Sequence, residues 1–382
     1  MFATQDQDNR RAKTRGLTRN HGGLARRLRR VTAGAVCAAA VALPLISAAG
    51  AEAATSAPHA LTSGWTSLAL QNGWYDYGYD TAAPAVTNIN GIVHLKGEMA
   101  TAGTNQVPFT LPAADRPATE VVVPVDLLGG TAGQLQIFPS GAVTVYAEKT
   151  WSNAQADTSL DGVSFARSGS SFTRLTLKNG WTNYGAPTAS AAVRSVSGIV
   201  HLRGVIMTGG TLQDPFILPV GFRPSHSLQI PVTLCNSATG QLDIYASGSM
   251  MVEAGAWSDA QCGVSLDGAW FAKSTSYYTP LKLQNGWTTY SGGFASPAVR
   301  KISGIVHFVG GIYNNADPPN PEVFTLPAGF RPSHYVYTSV DMADASKGQM
   351  VIAPGGAVTV FPETDWSRAS MLTSLDGVSF AS

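Results

Sequence analysis

A chain of 382 residues with 44% apolar content has room for two or three domains, each able to bury a core. The formal net charge of +1 hides a split: residues 1–54 carry nine Lys or Arg and three acids, leaving 16 basic and 21 acidic residues beyond them, a net of −5. A mildly acidic body without a basic run lacks the electrostatic footprint of nucleic-acid binding, and 40 glycines with 22 prolines favour tight turns over long helices.

Residues 1–30 are polar and basic, and Val31 to Ala51 is almost wholly small or apolar. Ala51-Glu52-Ala53 then offers a small-residue cleavage site, so residues 1–53 read as a secretory signal and the mature chain as extracellular. A membrane anchor is the competing reading, but the stretch is rich in Ala and Gly and contains Pro44. Arg26-Arg27 and Arg29-Arg30 leave both the twin-arginine and the general export route open. No later stretch is long and apolar enough to span a bilayer. Cys37 leaves with the signal, so Cys235 and Cys262 are expected to form one disulfide in an oxidising compartment. Two thiols are too few for a metal site.

The body repeats three times with a period of about 107 residues. Its most regular stretch is Gly91-Ile-Val-His-Leu-Lys-Gly97, which recurs at Gly198–Gly204 and Gly304–Gly310. Asn-Gly-Trp precedes it at Asn72, Asn179 and Asn285, and Leu-Asp-Gly closes each copy at Leu160, Leu266 and Leu375. The period is that of a domain, well beyond a solenoid unit. The expected organisation is a signal at 1–53 and repeats at 62–167, 171–273 and 277–382.

In the first repeat, Leu68 and Leu70 belong to a short strand, and Asn72-Gly73 turns the chain into Trp74 and a loop carrying Tyr75, Tyr77 and Tyr79. The strand 92–96 places Val93 and Leu95 on one face and Ile92, His94 and Lys96 on the other, more polar face. Pro112 to Pro117 is a fixed corner, and Pro124 makes 121–125 an edge strand or a bulge. Around Pro139-Ser140-Gly141 the alternation predicts a hairpin with Leu135, Ile137, Val143 and Val145 on its inner face. Trp151 falls in a looser stretch, and Asp161-Gly162 leads into a last strand ending at Phe165. No helical period is visible after the signal. Seven or eight short strands per copy predict an all-β fold: three tandem β-sandwich, jelly-roll-like domains of about 105 residues.

The strand 198–204, Phe216-Ile-Leu-Pro219, Gly221-Phe222-Arg223-Pro224, the Gly-bounded hairpin and Ser265-Leu-Asp-Gly268 with Phe271 form an ordered set. The third repeat carries it too, with Phe324-Thr-Leu-Pro327 and Gly329-Phe330-Arg331-Pro332, while the first has Ala114-Asp115-Arg116-Pro117. This set resembles a small β-domain at the ends of bacteriophage tail fibres and baseplate receptor-binding proteins, and covers nearly all of residues 65–382. The resemblance implies a trimerising, non-enzymatic head that contacts cell-surface saccharides. Two features depart from it: phage tail parts carry no secretion signal, and such a head usually occurs once per chain. Three linked copies could therefore pack as a pseudo-threefold trimer within one chain, or the chain could form a homo-oligomer.

For chemistry, His94, His201 and His307 are either ligands or bases, or residues of the polar strand face; one per repeat makes a metal site only if the copies converge. Asp161, Asp267 and Asp376 are either acids or turn residues, and no repeated second carboxyl is visible. Arg116, Arg223 and Arg331 could grip a carboxylate or tie down their own corners. The aromatic loops are the leading candidates for ligand contact: Trp74, Tyr75, Tyr77 and Tyr79, then Trp181 and Tyr184, then Trp287 and Tyr290. Each Trp could instead close the core beneath its turn. The expected protein is secreted and non-catalytic, binds a saccharide or cell-surface component, and uses no cofactor or metal. The other reading is an extracellular structural or assembly protein with no small ligand.

Overall fold

The computed structural model describes residues 64–316 and 319–382; the expected secretion signal and Cys37 lie outside them. The described chain is all-β, and each repeat folds as a sandwich of two antiparallel sheets. In repeat 1 the small sheet runs, in spatial order, Thr66–Ser67, Ala85–Ile89, Ile92–Lys96 and Ser164–Ala166. The large sheet runs Trp74–Asp76, Glu98–Thr101, Thr158–Ser159, Val121–Leu127, Thr131–Ile137 and Val143–Ala147. Repeat 2 has the same two sheets, and repeat 3 extends its large sheet with Glu322–Thr325 laid along Ala357–Pro362.

Period-two alternation drives this arrangement. Leu135, Ile137, Val143 and Val145 all lose their entire solvent exposure, as the hairpin pattern predicts. Burying such a side chain contributes about 1.5–3 kcal/mol. Each repeat fills its own core, centred on Phe109 and Phe165, on Phe216 and Phe271, and on Phe308, Phe324 and Phe380. The disulfide Cys235–Cys262 is formed, with Cα atoms 5.8 Å apart.

Three expectations change. The loose stretch at Trp151 is a short helix, Trp151–Ala156, repeated as Trp257–Cys262 and Trp366–Met371. Six residues are under two turns, too few for an apolar period to register. Val121–Leu127 is an edge only over its first part: one side pairs throughout with Thr131–Ile137, while the other meets Thr158–Ser159 at Asp126 and Leu127 alone. Pro124 thus sits where no neighbour in its own sheet needs its missing N–H. Finally, the expected polar face of Ile92–Lys96 is not solvated: Ile92 and His94 are buried, as are their counterparts in the other repeats.

What covers that face is the rest of the molecule. The described residues form one compact unit, in which the repeats close on one another in a cycle. Ser159 Oγ donates to Tyr337 O at 2.6 Å, Ser265 Oγ to Val122 O at 2.6 Å, and Ser374 Oγ to Gln229 O at 2.7 Å. Repeat 1 thereby reaches repeat 3, repeat 2 reaches repeat 1, and repeat 3 reaches repeat 2. The closing Asp-Gly turns make the same circuit. A Cβ on Gly162 would stand 2.6 Å from Thr338 Oγ1, one on Gly268 2.9 Å from Val123 Cγ1, and one on Gly377 2.9 Å from Ile230 Cγ2. With φ near +80° as well, these glycines are required twice, by backbone conformation and by close approach.

Candidate functional site: the tyrosine loops and the seams between repeats

The Asn-Gly turns hold both residues at positive φ (58° and 81° for Asn72 and Gly73), which throws the following Trp inward. Trp74, Trp181 and Trp287 are buried, and each Nε1 donates to a backbone carbonyl: Asn105 O at 2.7 Å, Leu212 O at 2.8 Å and Asn320 O at 2.8 Å. Trp74 and Trp181 also meet the helix tryptophans Trp151 and Trp257 edge to face, at 5.9 and 6.0 Å. The indoles close the core beneath the turn. The tyrosines stand differently: Tyr75 is 53% exposed, Tyr79 78% and Tyr184 50%. Tyr77 and Tyr290 are half-buried, the first packed against Tyr79 and the second against Phe294.

The corner arginines are engaged locally. Arg116, Arg223 and Arg331 donate from Nε to the carbonyls of Leu111, Leu218 and Leu326 at 3.0, 2.9 and 2.9 Å. Each also lies against the hairpin turn, where a Cβ on Gly141, Gly248 or Gly356 would fall within 2.6–2.7 Å of Nε.

The turn aspartates have backbone partners far away in sequence. Asp161 Oδ1 accepts from Gly97 N at 3.0 Å, Asp267 Oδ1 from Gly204 N at 2.9 Å, and Asp376 Oδ2 from Gly310 N at 3.0 Å. Both recurring motifs, the Gly-ended strand and Leu-Asp-Gly, are thus halves of one contact. Burial raises Asp161 and Asp267 to about 6 despite these bonds.

The three histidines converge. His94, His201 and His307, with Ile92, Ile199 and Ile305, line one small cavity of about 30 Å³ where the repeats meet. Burial lowers His94 to about 4 and His201 to about 3, the latter helped by His94, and it lowers His307 as well. Trp270 meets the His307 ring edge to face at 4.7 Å. These are neutral rings packed among apolar neighbours. Among the described residues no group of three His, Cys, Asp or Glu is placed to hold a metal ion.

The seams carry chemistry that the repeat pattern conceals. Between repeats 1 and 3, Glu98 and Asp157 are buried together, close enough for a protonated carboxyl of one to bond the other. Desolvation raises both carboxyls, with Asp157 and Asp126 as the foremost neighbouring charges on Glu98 and Asp157 respectively. Next to them Lys347 Nζ donates to Val125 O at 3.0 Å and Thr131 O at 3.1 Å and lies 3.7 Å from Asp126 Oδ1. Gln349 Nε2 bonds Asp126 Oδ2 at 2.5 Å. Glu98 has no carboxyl counterpart in the other copies, where Val205 and Gly311 stand, and that break in the repeat is the only trace of the site in the pattern. Between repeats 2 and 1 lies a cavity of about 230 Å³, with Tyr184 at its wall.

The chain matches no protein-family model, no curated protein and no solved structure.

Proposed function

We propose that this is a secreted, non-catalytic binding protein that recognises saccharide of a cell surface or cell wall through its tyrosine loops. The observation that carries the reading is the exposure of Tyr75, on the strand Trp74–Asp76, and of Tyr79 and Tyr184 just beyond tryptophans anchored in the core. A tyrosine ring fixed on a rigid base offers an apolar face for the C–H side of a sugar and a hydroxyl for its polar edge, at low entropic cost. The resemblance to phage receptor-binding heads supports the same ligand class. The engaged turn aspartates and buried histidines support a role without catalysis.

The test is retention of the chain on a panel of glycans and purified cell-wall polysaccharides, beside a variant carrying Tyr75→Ala, Tyr79→Ala and Tyr184→Ala. Specific retention that drops at least tenfold in the variant is expected. A blank panel sinks the saccharide reading in favour of a structural or assembly role.

A further inference from the structure

We infer that the seam between repeats 2 and 1 holds a saccharide pocket that accepts a single neutral or amino-bearing six-membered sugar ring. This rests on the saccharide-binding reading above. The three seams are equivalent places that are filled differently. At the seam between repeats 1 and 3, where Ser159 bonds Tyr337 O, the side chains are the buried Glu98, Asp157 and Asp126. At the seam between repeats 3 and 2 the space is occupied by Phe294 and Leu372, with Asp341 buried at the position of Asp126: a Cβ on Gly311 would meet the Phe294 ring at 2.9 Å and Leu372 Cδ1 at 3.2 Å.

At the seam between repeats 2 and 1 the corresponding residues are small. Val205 stands in place of Glu98, Gly263 in place of Asp157 and Leu372, Thr233 in place of Asp126, Thr188 in place of Phe294, and Val122 in place of Tyr337. The outcome is the cavity of about 230 Å³. A dry cavity of roughly 150 Å³ admits benzene, so this one admits a pyranose ring. Gly263 is not demanded by its backbone, whose φ of 177° suits any residue. An added Cβ would meet Cys235 Sγ at 3.3 Å, so a side chain there needs the disulfide to yield by a few tenths of an ångström but meets no backbone atom. Its smallness keeps the space open.

The walls fit a polyol. Thr233 is 3% exposed, lines the cavity, and its Oγ1 has no hydrogen-bond partner among the described residues. An orphaned buried hydroxyl is costly unless something bonds to it. Gln134 and Thr188 add an amide and a hydroxyl, and Tyr184 supplies an aromatic wall. The one carboxyl on the lining is Glu120, held by Gln136 Nε2 at 2.6 Å, and no Lys, Arg or His lines the cavity, which disfavours an anionic sugar. Arg174 and Arg203 belong to a separate groove that meets the cavity at Thr188.

The test is calorimetric titration of the full chain with the methyl glycosides of glucose, galactose, mannose, glucosamine and glucuronic acid. One site per chain is expected, with at least one neutral or amino glycoside bound and the glucuronide weakest. Gly263→Leu, which copies Leu372, should weaken binding at least tenfold. Thr233→Val, nearly isosteric, should weaken it severalfold and guards against a folding failure of the first variant. Equal binding at three sites, preference for the glucuronide, or binding untouched by both variants overturns the pocket. Retention on polysaccharide with no glycoside bound also overturns it while leaving the saccharide reading in place. Failure of both assays overturns both.

Discussion

Single side chains show how the same position takes different work in different repeats. Thr233 buries a hydroxyl without a partner, whereas Asp126 at the matching place bonds Gln349 and lies beside Lys347. In the absence of ligand, Thr233→Val is therefore expected to stabilise the chain by about 1 kcal/mol, because it removes an unsatisfied buried group. Chemical denaturation measures this, and a loss of stability would contradict it. Lys347→Met goes the other way: it strips Asp126 of its buried cation and should cost roughly 3–5 kcal/mol. Arg223→Ala removes the bond to Leu218 O. It should lower stability by about 1 kcal/mol and leave saccharide retention unchanged, which separates a corner tie from a ligand contact.

At the scale of elements, legibility followed periodicity. The hairpin at Pro139-Ser140-Gly141 was readable because its inner residues alternate and its core is local. The helices beginning at Trp151, Trp257 and Trp366 were not, since six residues hold no period. The burial of Ile92 and His94 was invisible for a different reason: a strand's second face looks solvated until the neighbouring repeats are placed on it. Of the candidate residues, the exposed tyrosines were legible as a loop composition, while the buried tryptophans could be sorted from them only by the turn geometry. The disulfide was legible, its purpose less so. Cys235 belongs to the cavity wall and Cys262 ends the adjoining helix, so the bond braces the repeat whose seam is open. Reduction is expected to remove about 3.5 kcal/mol by the loop-closure relation, read as a fall in the melting midpoint with reductant, together with weaker glycoside binding.

For the whole molecule, the cycle of seams predicts compactness. Small-angle scattering should give a radius of gyration of about 20 Å for the folded body, and the larger value of an extended three-bead string would exclude the closed arrangement. The seams also set the response to pH. Burial raises Glu98 and Asp157, so the native state keeps protons that the unfolded chain releases above about pH 4. Such groups add stability as pH falls, by up to about 1.4 kcal/mol per unit each. His94 and His201, lowered to about 4 and 3, act oppositely, removing stability as pH falls below about 6.5. Between pH 8 and 6.5 Glu98→Gln should therefore raise the melting midpoint most at pH 8 and flatten its rise towards acid. An unchanged profile would count against the buried carboxyl. The cyclic closure has a further consequence. In a trimer of identical chains each substitution appears at all three contacts at once, and dilution drives the subunits apart. Here the partners are tethered, so association is intramolecular and independent of concentration. One contact can be lined by Glu98 and Asp157, one by Phe294 and Leu372 and one by Val205 and Gly263 around a cavity, each changed without touching the others.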